Sequence, residues 1–151
     1  MVVGEVQDEL LELLAGDIAT RERGVGVLVD RLVDRRRYRE VMVSDAPPPI
    51  TPYLDKGVVD SVFGELWDRP GLSRRDRRWI TLACVGAAAV DEPINQHTYA
   101  ALASGDITRE EFQEFVLHFA YYHGWPRASS FEMAYYRAIE RLDATPPSTT
   151  D

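Results

Sequence analysis

Apolar residues recur at helical spacing in almost every segment of this chain, and alternating apolar–polar runs of the kind that build half-buried strands are nearly absent. That pattern confines the fold to packed helices, and an all-α domain without a sheet is predicted. The helix boundaries are written in capping chemistry. A first helix is predicted from Glu5 to Ala15, stopped by Gly16, and a second from about Thr20 to Arg37 with Val25, Leu28, Val29, Leu32 and Val33 as its apolar stripe. Pro47-Pro48-Pro49 cannot be helical and reads as a rigid connector. A third helix from Pro52 to Trp67 ends at Arg69-Pro70-Gly71. Ser73 with Asp76 and Thr108 with Glu111 both have capping-box spacing, and they open predicted helices that reach Val90 and Tyr122. Pro93 and Pro126 suit the first turns of two more, running to Ser104 and about Leu142.

At 151 residues with 45% hydrophobic positions, the chain can bury one continuous core. The expected organisation is an N-terminal arm over 1–20, one helical domain over 21–143 and a disordered tail over 144–151. Cys84 is the single cysteine, which excludes an internal disulfide and any CxxC pair. A net charge of −8 argues against a nucleic-acid surface, which needs a basic field. The run Arg35-Arg36-Arg37-Tyr38-Arg39 reads as a solvated helix end, with a local anion site as the alternative. With no apolar run near the roughly 20 residues that span a bilayer and no signal-peptide pattern, a soluble cytoplasmic protein is expected.

Six segments, in order, carry a resemblance: Phe63-Gly64-Glu65-Leu66-Trp67-Asp68-Arg69-Pro70-Gly71-Leu72; Arg77 with Thr81-Leu82-Ala83; His97; Ala101-Leu102 with Gly105; Thr108 to Phe112; and Tyr122-His123-Gly124-Trp125-Pro126. Over roughly Arg21 to Leu142 the chain resembles the carboxymuconolactone decarboxylase family, within the alkylhydroperoxidase D-like superfamily of helical oligomers. The resemblance implies a cofactor-free decarboxylation of a small carboxylated lactone from aromatic-compound breakdown. It also implies a homotrimer or homohexamer with its site between packed helices. In the peroxidase branch two cysteines precede the histidine and a glutamate stands on the preceding helix. Here Val90, Pro93 and Arg78 fill those places, so disulfide-based peroxide reduction has no thiol pair to work with. The decarboxylase branch carries a Glu-Leu pair shortly before the histidine, whereas Glu92 here is followed by Pro93.

A decarboxylase must hold a carboxylate, accommodate the charge left on carbon and deliver a proton. His97 is the candidate proton donor, because imidazole changes charge near neutral pH; a packed core histidine is the alternative. Glu65, beside Trp67, is a candidate acid if burial raises its pKa, and otherwise an ion-pair partner of Arg77 or Arg69. Arg77 is the candidate carboxylate clamp, against a structural brace for the Gly-Leu-Ser turn. Trp67, Tyr122, His123 and Trp125 are candidate substrate-binding residues, with core filling as the bland role of the aromatic three. His118 is a weaker candidate, read first as a packed histidine. His118 and His123 point to different helix faces, which makes a metal pair unnatural, and no cofactor is expected. Cys84 reads as inert packing, and Glu132 as either a second acid or a solvated charge. Two other readings remain: a tailoring enzyme on a larger aromatic or polyketide-like substrate, or a silent oligomeric binding module.

Overall fold

The computed structural model describes residues 26, 30, 32–47, 51 and 55–144. The predicted first helix, the N-terminal arm and residues 145–151 of the expected tail lie outside the described residues. Among the described residues every regular element is helical. A helical run covers 32–42, a π-helical segment covers Asp55–Glu65, and a 3-10 turn covers Leu66–Asp68. Four α-helices follow: α1 Arg74–Ala88, α2 Asp91–Ala103, α3 Arg109–His123 and α4 Trp125–Ala144.

Local chemistry explains most of these ends. The Ser73 hydroxyl accepts from the Asp76 N–H at 3.0 Å while the Asp76 carboxylate accepts from the Ser73 N–H, which closes a full capping box on α1. Thr108 and Glu111 do the same for α3. Arg75 then grips that second box, placing both guanidinium ends on the Glu111 carboxylate at 2.6 and 3.0 Å and fixing α1 against the start of α3. At its other end α1 finishes on Ala89 in the left-handed region, at φ 56, without the glycine that would announce such a stop.

The core has two parts. Phe112, Phe119 and Phe131 meet edge to face with Leu82, Ile94, Ile107 and small residues of α2 and α4 around them. Gly86 lets α1 approach this cluster, because a Cβ there would collide with the Phe131 and Phe119 rings. The second part joins Tyr38, Val41 and Met42 of the first run to Phe63 and Ala100, with Trp67 packed against it. Gly64 marks the closest approach of those two segments: a Cβ would stand 2.5 Å from Asp34 Oδ1, and Arg37 Nη1 donates to the Gly64 carbonyl at 2.5 Å.

Two sequence expectations change here, and one holds. The second helix continues past Arg37 to Met42, because Tyr38, Val41 and Met42 supply its buried face while Leu32 and Val33 stay exposed. The basic run stays solvated, with Arg36 and Arg39 exposed and paired to Glu40 at 3.0 Å and Asp45 at 2.5 Å, while the half-buried Arg37 pairs with Asp68 at 2.9 Å. The small-residue end of α1 is covered on one face only: Gly86 is buried, whereas Cys84 is exposed rather than packed.

Candidate active site

The second core cluster ends where α1 and α2 meet the Leu66–Asp68 turn, and two basic side chains are enclosed there. Arg78 is 1% exposed. Its Nε donates to Asp106 Oδ2 at 3.1 Å, its Nη2 donates to the Val41 carbonyl, and its guanidinium carbon lies 5.0 Å from the centre of the Trp67 ring. Arg77, also buried, spends its Nη2 on the Arg69 carbonyl at 2.7 Å. That bond ties α1 to the Arg69-Pro70-Gly71 stop, the geometry of the brace. Yet Arg77 Nε and Arg78 Nη1 are both enclosed with no hydrogen-bond partner among the described residues. Leaving such a donor unmet costs about 1–3 kcal/mol.

His97, on α2, shares this environment. Its ring is largely buried, its Nδ1 has no partner, and burial together with the Arg78 charge holds the imidazole down at about 4. Desolvation and a neighbouring cation both disfavour imidazolium. His97 is therefore neutral at pH 7. The linkage follows from the sign: between about pH 6.5 and about 4 the unfolded chain binds a proton that the folded chain refuses. Stability should fall as pH drops through that window and level off below it, by roughly 3 kcal/mol at most. Urea unfolding at pH 7, 5.5 and 4 on the wild type and His97→Gln checks this, the variant losing that part of the slope.

Glu65 is not drawn into this pair. Its side chain is exposed, so the burial anticipated for it is absent, and no hydrogen bond or ion pair joins it to Arg77, Arg69 or His97 among the described residues. Its charge instead acts on Asp34, whose carboxyl is pushed up first by burial and then by Asp60. Glu92 lies exposed in the first turn of α2 and accepts from Gln96 at 2.8 Å, five residues and a different helix face away from His97. Glu132 is exposed, a solvated charge.

The remaining candidates gather elsewhere. Tyr122 and Trp125 are 76% and 63% exposed at the junction of α3 and α4. His118 stacks on Tyr122 at 4.8 Å and His123 on Phe119 at 4.4 Å. His118 is thus a surface residue and not a packed one. It lines an open groove of about 790 Å³ together with Trp79, Phe115, Leu117, Tyr121, Glu111 and Glu114. Within one chain, Arg78 lies against Trp67 and its charge acts on His97, Arg77 sits next to Arg78 on α1 with its bond to Arg69, and His118, Tyr122, His123 and Trp125 lie on a separate aromatic surface. Sequence reasoning did not single out Arg78, the guanidinium whose charge acts on His97. The signal was available, since Arg77 and Arg78 are adjacent on a helix whose buried face passes between them.

Among the described residues every regular element is helical, with a half-buried histidine on α2 and two buried arginines on α1, and these residues fall within a stretch that matches a known family. The profile of the carboxymuconolactone decarboxylase family covers residues 52–135, and the chain belongs to that family. Among curated relatives, it is 34% identical over 68 residues to the 4-carboxymuconolactone decarboxylase of Acinetobacter baylyi, a match covering 45% of this chain and 50% of that protein. It is 32% identical over 101 residues to the nitrosuccinic acid decarboxylase of Metarhizium robertsii, covering 67% of this chain and 69% of the relative. The chain thus spans half the length of the first and about two-thirds of the second. No described helix is long and apolar enough to cross a membrane.

Proposed function

We propose that this protein is a cofactor-independent decarboxylase of a small carboxylic acid that bears its own electron-withdrawing group. Both relatives are named as decarboxylases, and each substrate name joins an acid to such a group, a lactone in one and a nitro group in the other. The observation that supports the reading for this chain is the pairing of His97 with Arg78: the Arg78 charge acts on the imidazole, and His97 Nδ1 and Arg78 Nη1 both lack a hydrogen-bond partner among the described residues, as does Nε of the adjacent Arg77. In the reaction the bond from the substrate carbon to its carboxylate breaks, carbon dioxide leaves, and the electron pair passes onto the adjacent acceptor. A proton then returns to carbon.

Arg77 Nε is the donor for the departing carboxylate, with Nη2 kept on Arg69. His97 is the proton carrier. Neutral in the empty site, it gains proton affinity once a substrate anion offsets the nearby guanidinium charge, and general acid catalysis of this kind contributes about 10²–10⁴-fold. Trp67 supplies an apolar wall. Glu65, exposed in one chain, has a place in this scheme only if assembly into a trimer or hexamer covers it. The exposed His118, Tyr122, His123 and Trp125 favour a second version, in which the same reaction serves a larger aromatic acid reaching that surface.

Carbon dioxide release from purified protein decides between them, measured on carboxymuconolactone, nitrosuccinic acid and a set of bulky aromatic carboxylic acids. Turnover of a small acid with none on the bulky set is the expected result. Turnover confined to the bulky acids selects the second version, and release from none contradicts the decarboxylase reading.

A further inference from the structure

A cleft of about 260 Å³ between α3 and α4 shares no residue with the His97–Arg78 site; it is lined by Phe112, Gln113, Val116, Glu132, Tyr135 and Tyr136. Helical spacing builds its walls. Gln113 and Val116 stand three residues apart on α3, and Glu132, Tyr135 and Tyr136 stand at i, i+3 and i+4 on α4, so each set shares a face. The enclosed Phe112 stacks on Tyr135 at 5.8 Å, with 14° between the planes, and fixes that ring. Tyr136 meets Tyr135 at 5.9 Å and 72°, which gives two aromatic walls set nearly at right angles. Gln113 Nε2 donates to the Tyr135 hydroxyl at 3.4 Å and ties the two helices together. Glu132 is the single charge in this lining, and among the described residues it has no hydrogen bond or ion pair. The arginines five residues to either side of it reach other helices instead, Arg127 to the Ala87 carbonyl at 2.9 Å and Arg137 to Asn95 Oδ1 at 3.2 Å. On α3, Arg109 is held by Asp143 at 2.9 Å, while Glu110 and Glu114 add to the negative field of a chain whose net charge is −8.

We infer that this cleft binds a small organic cation of the methylated-ammonium class, with its charge beside Glu132 and its methyl groups against the rings of Tyr135 and Tyr136. The lining selects that class over its rivals. An inorganic cation needs several oxygen ligands at once, and only one carboxylate is present. A primary ammonium is a compact, strongly hydrated charge whose three donors each need an acceptor, and the cleft is mostly ring and methyl surface. A methylated ammonium spreads its charge over apolar surface, leaves water more readily, and is attracted by the negative faces of aromatic rings. An anion would meet the Glu132 charge with the same sign, and a neutral apolar molecule would make no use of it. The volume agrees, since it falls just below the roughly 300–1,000 Å³ that holds a drug-sized ligand. Because Glu132 lies at the solvent edge, the cation enters without any helix moving.

Calorimetry on the full chain tests this with two probes of equal shape, choline and the neutral alcohol in which a carbon replaces the choline nitrogen. Wild type should bind choline about tenfold or more tightly than the alcohol. Glu132→Gln and Tyr136→Leu should each weaken choline by about threefold or more, and the double variant should bring the two probes level. Glu132 and Tyr136 are both exposed, so these variants keep the fold, which circular dichroism checks. Nitrogen–proton NMR of the wild type should show choline moving the amide signals of Gln113, Val116, Glu132, Tyr135 and Tyr136 before others. Equal affinity for the two probes overturns the inference, as do a preference that survives in the double variant, signals that move only elsewhere, and a wild type that choline does not saturate by about 50 mM. Carbon dioxide release enters none of these readouts, so the cation site stands or falls separately from the decarboxylase reading.

Discussion

Replacing His97 with alanine should lower kcat for carbon dioxide release by about 10²–10⁴-fold, the range for loss of one positioned general acid. The melting temperature at pH 7 should stay near that of the wild type. The two expectations belong together. His97 is only half-buried, its Nδ1 is unmet among the described residues and its charged form is disfavoured, so its loss removes few contacts that hold the fold. His97→Asn, which keeps a polar group without a transferable proton, should fall with alanine in kcat while its KM moves less. A change in kcat below about threefold in both variants would remove the imidazole from the chemistry.

The largest effect on stability is expected at Phe112→Ala, which should cost about 3–5 kcal/mol. Phe112 is fully enclosed, and its ring meets Phe115 at 5.9 Å, Phe131 at 6.1 Å and Tyr135 at 5.8 Å. Those three rings come from α3 and α4, so the surroundings cannot close over a lost ring without moving two helices. Residual cavity volume is what makes such truncations expensive. Phe112→Leu, which keeps most of the volume, should cost about half as much or less. Urea unfolding of both variants checks the pair, and a loss under about 1 kcal/mol for alanine would show that the cluster repacks freely.

Helix ends were the most legible part of the sequence, because capping is local chemistry. Ser73 with Asp76 and Thr108 with Glu111 form in space the boxes their spacing announces, and Gly124 ends α3 at a positive φ of 88. Two things were not legible. The segment before Arg69 has helical composition, yet it winds as a π-helix over Asp55–Glu65, with Phe63 packed against Tyr38, Val41 and Met42 of the 32–42 run. Exposure of Leu32, Leu117, Tyr121, Tyr122 and Trp125 was hidden because an apolar residue reads the same whether it faces the core of one chain or the surface of another.

The site was half legible. His97 and Arg77 could be singled out from their order along the helices, and Trp67 from its neighbours. The hidden part was which group shares the imidazole's surroundings. Glu65 looked suited to it by composition, but its side chain turns outward at the end of the π-helical segment. Arg78 looked like one more arginine in the run Arg74-Arg75-Asp76-Arg77-Arg78, and a one-residue step around the helix separates a solvated charge from an enclosed one. Periodicity gives the face and leaves its edge undefined by about a residue, which here is the difference between a brace and a site.

The account turns on an imidazole kept uncharged by burial and by the guanidinium beside it. Nitrogen NMR of the His97 ring across a pH titration of the ligand-free protein tests that directly. Half-protonation at about 4 is the expected result. A ring that titrates at the ordinary value near 6.5 would show that neither burial nor Arg78 acts on it, and would contradict the assignment of this site.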